Sequence, residues 1–261
     1  MYLKRFSCLL AVALCVSATG MTASAMAATV SAGGSTLVAP LESEWAGAFK
    51  SQTGNSVTYA SVGSGTGITG VSDGLYQIGA SDAPMTSKQA AGCTKQSANS
   101  CITVPWALSA TGIGYNIPGV GNGLRLTGNV LAGIYLGQIK TWNSAAIARL
   151  NKHVHLPNLA ITPVFRSGGS GDTYAFTNFL SSINTTWAHT IGYATAVTFP
   201  TGVQATGNSG VAAKVKSVPG AIGYISGSYL ISARITTARM HPISCIRRNP
   251  VYWELGRKNA W

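Results

Sequence analysis

Apolar positions along the chain change period several times, and the changes mark the elements. Ala28, Thr29, Val30 and Ser31 read as a short strand running into the polar turn Ala32-Gly33-Gly34-Ser35-Thr36. Pro40 then opens a helix that carries Leu41, Trp45, Ala48 and Phe49 on one face, with Gly54 placed to cap its end. Val57, Tyr59 and Val62 form a β-like run ending at Gly63-Ser64-Gly65-Thr66-Gly67, followed by a short helix. Tyr76 to Ala80 reads as a buried strand ending at Ser81-Asp82-Ala83-Pro84, and Ile102–Val104 and Gly112–Ile117 read as further strands. Leu131, Ile134, Tyr135 and Ile139 make a helical stripe, and Trp142 to Leu150 carries another. Ile161 to Phe165 is a β-like run that meets Arg166-Ser167-Gly168-Gly169-Ser170-Gly171-Asp172-Thr173, and a helix with Tyr174, Phe176, Phe179 and Leu180 follows. Ala221 to Ile225 is another short apolar strand. Strand, glycine-rich polar turn and helix recur three times, which predicts an α/β fold with a mostly parallel sheet.

Composition narrows the class. The 261 residues are 46% hydrophobic and only 9% charged, which excludes a disordered chain, and the 31 glycines follow no triplet period. The length suits one large domain or two lobes. Lys4 and Arg5, the apolar run Leu9–Val16 and Ala25-Met26-Ala27 spell an export signal over residues 1–27. Its apolar run is far shorter than the ~20 residues that span a bilayer. Lipidation is disfavoured, since Cys15 follows Leu14 and Cys8 lacks an apolar run before it. After the signal, Cys93, Cys101 and Cys245 remain. Cys93 and Cys101 bracket a short polar loop, which suits a local disulfide in an oxidising compartment; two unpaired cysteines are the alternative. His153 and His155 are the only closely spaced histidines and read as a solvated loop, so no metal site is expected.

The three glycine-rich turns carry the candidate chemistry. Ligands of parallel α/β sheets bind beyond the carboxyl ends of the strands, where helix starts offer unpaired N–H groups and a positive dipole end. Glycine lets an oxyanion approach the backbone and Ser or Thr adds a hydroxyl, so these turns read as an anion cradle; simple helix capping is the competing explanation. Gly65-Thr66-Gly67-Ile68-Thr69-Gly70 fits a dinucleotide fingerprint, but no acid lies about 20 residues on. Gly70-Val71-Ser72-Asp73-Gly74 fits a nucleophile elbow but lacks the apolar strand before it. A carboxylate at Asp82 repels a fully ionised anion such as sulfate and accepts a hydrogen bond from one that still carries a proton; Arg166 supplies charge-assisted contacts. Together they predict a filter that passes phosphate over sulfate, unless Asp82 is simply a helix cap or a surface ion-pair partner.

Ala32-Gly-Gly-Ser-Thr36, Gly79-Ala-Ser-Asp82-Ala-Pro84, Ile134-Tyr-Leu-Gly137-Gln-Ile-Lys140-Thr-Trp142, Arg166-Ser-Gly-Gly-Ser-Gly171 and Pro219-Gly-Ala-Ile-Gly-Tyr224 resemble, in order and spacing, the PstS family, the phosphate-binding proteins of the phosphate ABC importer. The resemblance implies a two-lobed periplasmic-binding-protein fold of type II with inorganic phosphate in the cleft. It implies phosphate contacts from Thr36, Leu37, Ser64, Asp82, Arg166, Ser170, Gly171 and Asp172, with Asp82 accepting the phosphate proton. It also implies a periplasmic monomer without cofactor or catalysis, delivering to an inner-membrane permease. A secreted phosphatase-like relative of the same fold and a truncated, non-functional paralogue are the alternatives. Two positions depart from the family pattern: Gly168 stands where an aspartate usually sits beside the arginine, and Asp172 stands where many members have threonine. A second carboxylate there would accept a further phosphate proton.

The match fades after Leu230. The expected division is therefore a signal (1–27), a first lobe (28–108), a second lobe (109–230) and an atypical basic tail (231–261) in place of the family's return to the first lobe, which leaves that lobe incomplete. The formal charge of +12 divides accordingly: residues 28–230 hold ten bases against five acids, and the rest of the excess lies in the signal and the tail. That distribution argues against a nucleic-acid footprint.

Overall fold

The computed structural model describes residues 27–96 and 101–240. Residues 1–26, where an export signal is expected, Cys245 and the rest of the chain from residue 241 lie outside the described residues.

The described residues build two main sheets with helices against them, and a two-stranded pair beside the larger one. The small half runs β1 (Thr29–Gly34), α1 (Ala39–Thr53), β2 (Ser56–Ser61), α2 (Ser64–Ser72), β3 (Ile78–Ala80) and α3 (Ser87–Gln96). Its strands lie in the order β2-β1-β3, all parallel. The large half begins with β4 (Thr111–Tyr115), β5 (Arg125–Leu126), α4 (Gly128–Tyr135), α5 (Ala145–Ala148) and β6 (Thr162–Arg166). It continues with α6 (Gly171–Ile183), α7 (Thr185–Thr190), β7 (Val203–Ala205), α8 (Gly207–Ser217) and β8 (Ala221–Ser226). It closes with α9 (Gly227–Ser232), β9 (Thr236–Thr237) and β10 (Arg239–Met240). Its main sheet has the order β7-β6-β8-β4-β9, with β4 antiparallel to both neighbours and the other pairs parallel. The mostly parallel α/β sheet expected from the turns is present.

Most expected elements form where the apolar period placed them. Pro40 lies in the first turn of α1, and Gly54 caps its end at φ 74° while donating to the Lys50 carbonyl at 2.9 Å. Three expectations fail. Ile102–Val104 forms no strand: it leaves Cys101, disulfide-bonded to Cys93, and crosses an open groove where no sheet edge pairs with it. The Leu41, Trp45 and Phe49 stripe is largely exposed, and α1 has no buried residue. Trp45 instead meets the Trp106 ring, with centroids 5.3 Å apart. Ile78, expected to be buried in its strand, is also exposed. Among the described residues no further strand pairs with β3 on its outer side.

The core sits in the large half. Tyr135, Trp142, Ile147, Leu180, Trp187 and Tyr224 are each fully buried there. Phe176 stacks on Tyr224 at 4.6 Å and meets Tyr135 edge-on at 4.8 Å. The Trp142 indole donates to the Gly220 carbonyl at 3.1 Å, so a buried polar atom is satisfied and the loop before β8 is fixed.

Residues 231–240, expected to belong to an atypical tail, continue this half. Ile235 is buried with Val211, Val215 and Leu230, Thr236–Thr237 pairs with β4, and Arg239–Met240 pairs with β5. The sequence hid this because the segment is too short to show a period.

Leu180 packs inside the main cluster with no exposed surface. Leu180→Ala is expected to lower unfolding stability by about 3 kcal/mol in urea titration, from lost burial plus the cavity left behind.

Candidate functional site

Three helix starts converge on one place. Gly63 is the cap position before α2, Ser170 that before α6 and Thr206 that before α8. The first-turn N–H groups of each helix have no intrahelical acceptor, and the positive dipole ends share the same neighbourhood. α2 belongs to the small half and the other two to the large half, so the site lies between the halves.

The two halves meet on glycine. The Gly65 amide donates to the Gly169 carbonyl at 3.1 Å. A Cβ on Gly65 would lie 2.9 Å from the Gly169 α-carbon, and one on Gly63 would lie 2.5 Å from the Gly169 oxygen. Gly63 also has φ 98°, which side chains other than glycine rarely adopt. The same closeness recurs at Gly171, where a Cβ would fall 2.1 Å from Asp82 Oδ2. Gly63, Gly65, Gly169 and Gly171 are therefore required by contact between halves.

Arg166 ends β6 and is buried. Its backbone N–H donates to the Tyr224 hydroxyl at 3.1 Å, and that hydroxyl also bonds to Thr173 Oγ1 at 2.7 Å. Burial holds the Tyr224 hydroxyl at a pKa of about 12, so it stays protonated. The aromatic core thus aims one polar tip at the strand end. Arg166 Nη1 donates to Thr36 Oγ1 at 3.1 Å and to Asp172 Oδ2 at 3.2 Å. Its Nε is buried and has no partner among the described residues.

Asp82 is held differently. Its Oδ2 accepts from the hydroxyls of Ser64, at 2.8 Å, and of Ser35. Both donors come from glycine-rich turns of the small half.

The expected site residues therefore gather, with roles that differ in detail. Thr36, Arg166 and Asp172 form one bonded group, and the bonded pair Ser64 and Asp82 lies against Gly171. The Ser170 hydroxyl caps α6 by accepting from the Thr173 amide, and the Leu37 amide donates to Ser35 Oγ at 3.1 Å. Asp172 turns its carboxylate onto Arg166, while its backbone N–H and that of Gly171 lie in the open first turn of α6.

Sequence reasoning missed Ser35, Thr111 and Asn208. Asn208 is buried, and its Nδ2 donates to Asp172 Oδ2 at 2.7 Å and to Thr36 Oγ1 at 2.9 Å. Thr111 donates to Asp172 Oδ1 at 2.7 Å. The Gly207 start of α8 offered a faint signal for Asn208, as a further glycine-preceded helix. Ser35 lies inside a quoted motif.

A family model for the PBP superfamily domain matches residues 19–249. The chain belongs to this superfamily. The phosphate-binding protein PstS of Pasteurella multocida (strain Pm70) is 40% identical over 197 residues, 75% of this chain and 56% of that protein. PstS of Xylella fastidiosa (strain Temecula1 / ATCC 700964) is 37% identical over 207 residues, 79% of this chain and 55% of that protein. The chain spans little more than half the length of these curated relatives. The ancestral soluble variant of the human phosphate-binding protein superposes with TM-score 0.64 at 22% identity, over 84% of this chain and 63% of that one. A phosphate-binding protein from Stenotrophomonas maltophilia does so at 0.58 and 23%, over 85% of this chain and 67% of that one. These structures fix the fold as that of a periplasmic binding protein, and the two PstS relatives bear out the resemblance carried by the motifs.

Burial raises the Asp172 carboxyl from 3.8 to about 6, against the lowering effect of Thr111, Asn208 and Arg166. The folded pKa is raised, so the native protein takes up a proton on acidification before the unfolded chain does. That gain in stability builds between about pH 6 and pH 4 and is lost as pH rises through 6. Melting temperatures at pH 7 and pH 5 should therefore show a smaller gain on acidification in Asp172→Asn than in the unaltered protein.

Proposed function

We propose that the chain is an exported solute-binding protein that takes inorganic phosphate between its two halves for import by an ABC-type permease. The observation that carries this reading is Arg166, a buried guanidinium whose Nε has no partner, set among three helix starts and two carboxylates. Such a cation with open N–H groups nearby favours an oxyanion. Asp82 makes the choice among oxyanions, because it can accept only from an anion that carries a proton.

On this reading residues 28–108 form the first lobe, and the second begins at residue 109 and runs through residue 240. Thr36 accepts twice at its oxygen, which leaves its own O–H to give to the anion. The first-turn amides of Gly171 and Asp172 are further donors. Binding draws the halves together, and the seam of Gly63 and Gly65 against Gly169 sets how close they come. The relatives' names support phosphate as the solute, and the signal sequence supports export to the periplasm.

Equilibrium dialysis of the purified chain is expected to show phosphate bound and sulfate excluded; equal binding of both, or of neither, contradicts the reading. Asp82→Asn should admit sulfate. Arg166→Ala should weaken phosphate binding by at least about tenfold.

A further inference from the structure

A guanidinium can present itself to an anion only if something fixes its plane. Two residues along from Arg166 stands Gly168, which has no side chain with which to hold the guanidinium. The anchor comes from the next helix. Asp172 Oδ2 to Arg166 Nη1 is the only ion pair among the described residues, and both side chains are almost entirely buried.

That carboxylate is itself held from several sides. Thr111 on β4 bonds Oδ1, and Asn208 on α8 bonds Oδ2. The Asn208 amide cannot turn over, because its Oδ1 accepts from the Ser226 backbone N–H at 2.7 Å. Nδ2 is therefore the end facing Asp172 and Thr36. With Nη1 taken by Asp172 and Thr36, the Nε–Nη2 edge is the fork that remains for a bidentate oxyanion. This fork lies beside the α2 start, where a Cβ on Gly63 would stand 3.7 Å from Nη2.

We propose that Asp172, clamped by Thr111 and Asn208, is a positioning residue that orients Arg166 toward the anion and does not itself receive a phosphate proton. The proposal rests on the phosphate-binding reading above. It differs from the expectation drawn from sequence, in which a carboxylate at position 172 meets the ligand. Three protein donors already converge on this carboxylate, so an anion's proton would have to displace one of them.

The charged and titratable groups facing Asp172 are Arg166, Asp82, Tyr224 and Tyr229, and both tyrosines are pushed upward and stay neutral. Asp172 is ionised at neutral pH and loses its charge as pH falls through about 6. Arg166 would then lose its counter-charge and its fixed plane, and phosphate binding should weaken there.

The test is a double-mutant cycle with the full chain, read as phosphate affinity by titration calorimetry at pH 7.5. Asp172→Asn should weaken binding about tenfold in the unaltered protein. In an Arg166→Ala background the same change should weaken it no further, or should tighten it by removing an unpaired buried charge. Equal weakening in both backgrounds means Asp172 touches phosphate directly and overturns the proposal, as does no weakening in the unaltered protein. If the unaltered protein binds no phosphate, the functional reading falls and takes this proposal with it; binding with additive effects sinks the proposal alone.

Thr111→Val gives a second readout that leaves the ion pair in place. It removes one hydrogen bond that lowers the Asp172 pKa, so the pH below which binding weakens should move upward relative to the unaltered protein. An unmoved midpoint overturns the proposal. Phosphate's own titration is common to both proteins and cancels in the comparison.

Discussion

A buried guanidinium must be matched by negative charge or by acceptors, or its desolvation is uncompensated. In this protein that demand falls on Arg166, and Asp172 meets it at 3.2 Å. Much of the surrounding architecture follows from that pair. β6 must end where α6 begins, α8 must bring Asn208 to the same carboxylate, and β4 must bring Thr111. The small half then contributes Thr36, which accepts from both Arg166 and Asn208 and so ties the first sheet to the second.

The aromatic core supports this arrangement from below. Tyr224 stacks on Phe176 and lends its hydroxyl to the Arg166 backbone and to Thr173 at the start of α6. Packing in the large half is thereby transmitted to the position of one cation. Among the described residues the small half has no comparable core: its buried cluster comprises Leu37, Val38 and Ala80, while Trp45 and Ile78 are exposed. Its position therefore relies more on polar contacts and glycine seams with its partner than on apolar burial of its own.

The fold was largely legible because three strands ran straight into glycine-rich turns, and those turns marked the candidate site. Arg166, Asp82, Ser64 and Thr36 were found because charge, hydroxyl and glycine coincide at strand ends. Asn208 was not legible: its role comes from a helix start far along the chain, and an asparagine there reads as ordinary capping. Asp172 was found with a different partner in view, since no local pattern tells whether a carboxylate at a helix start faces a ligand or an arginine. Ile102–Val104 looked like a strand because the apolar run was real, but a strand also needs an edge to pair with. Residues 231–240 were too brief for periodicity, and only pairing with β4 and β5 shows where they belong.

The central claim is that Arg166 and Asp82, from opposite halves, address one anion. A crystal structure of the purified chain grown with phosphate tests it most directly. The account predicts a tetrahedral anion bound by the Nε–Nη2 edge of Arg166 and within hydrogen-bond distance of Asp82 and the Thr36 hydroxyl. An anion bound away from Arg166, or an ordered cleft with none, would contradict it.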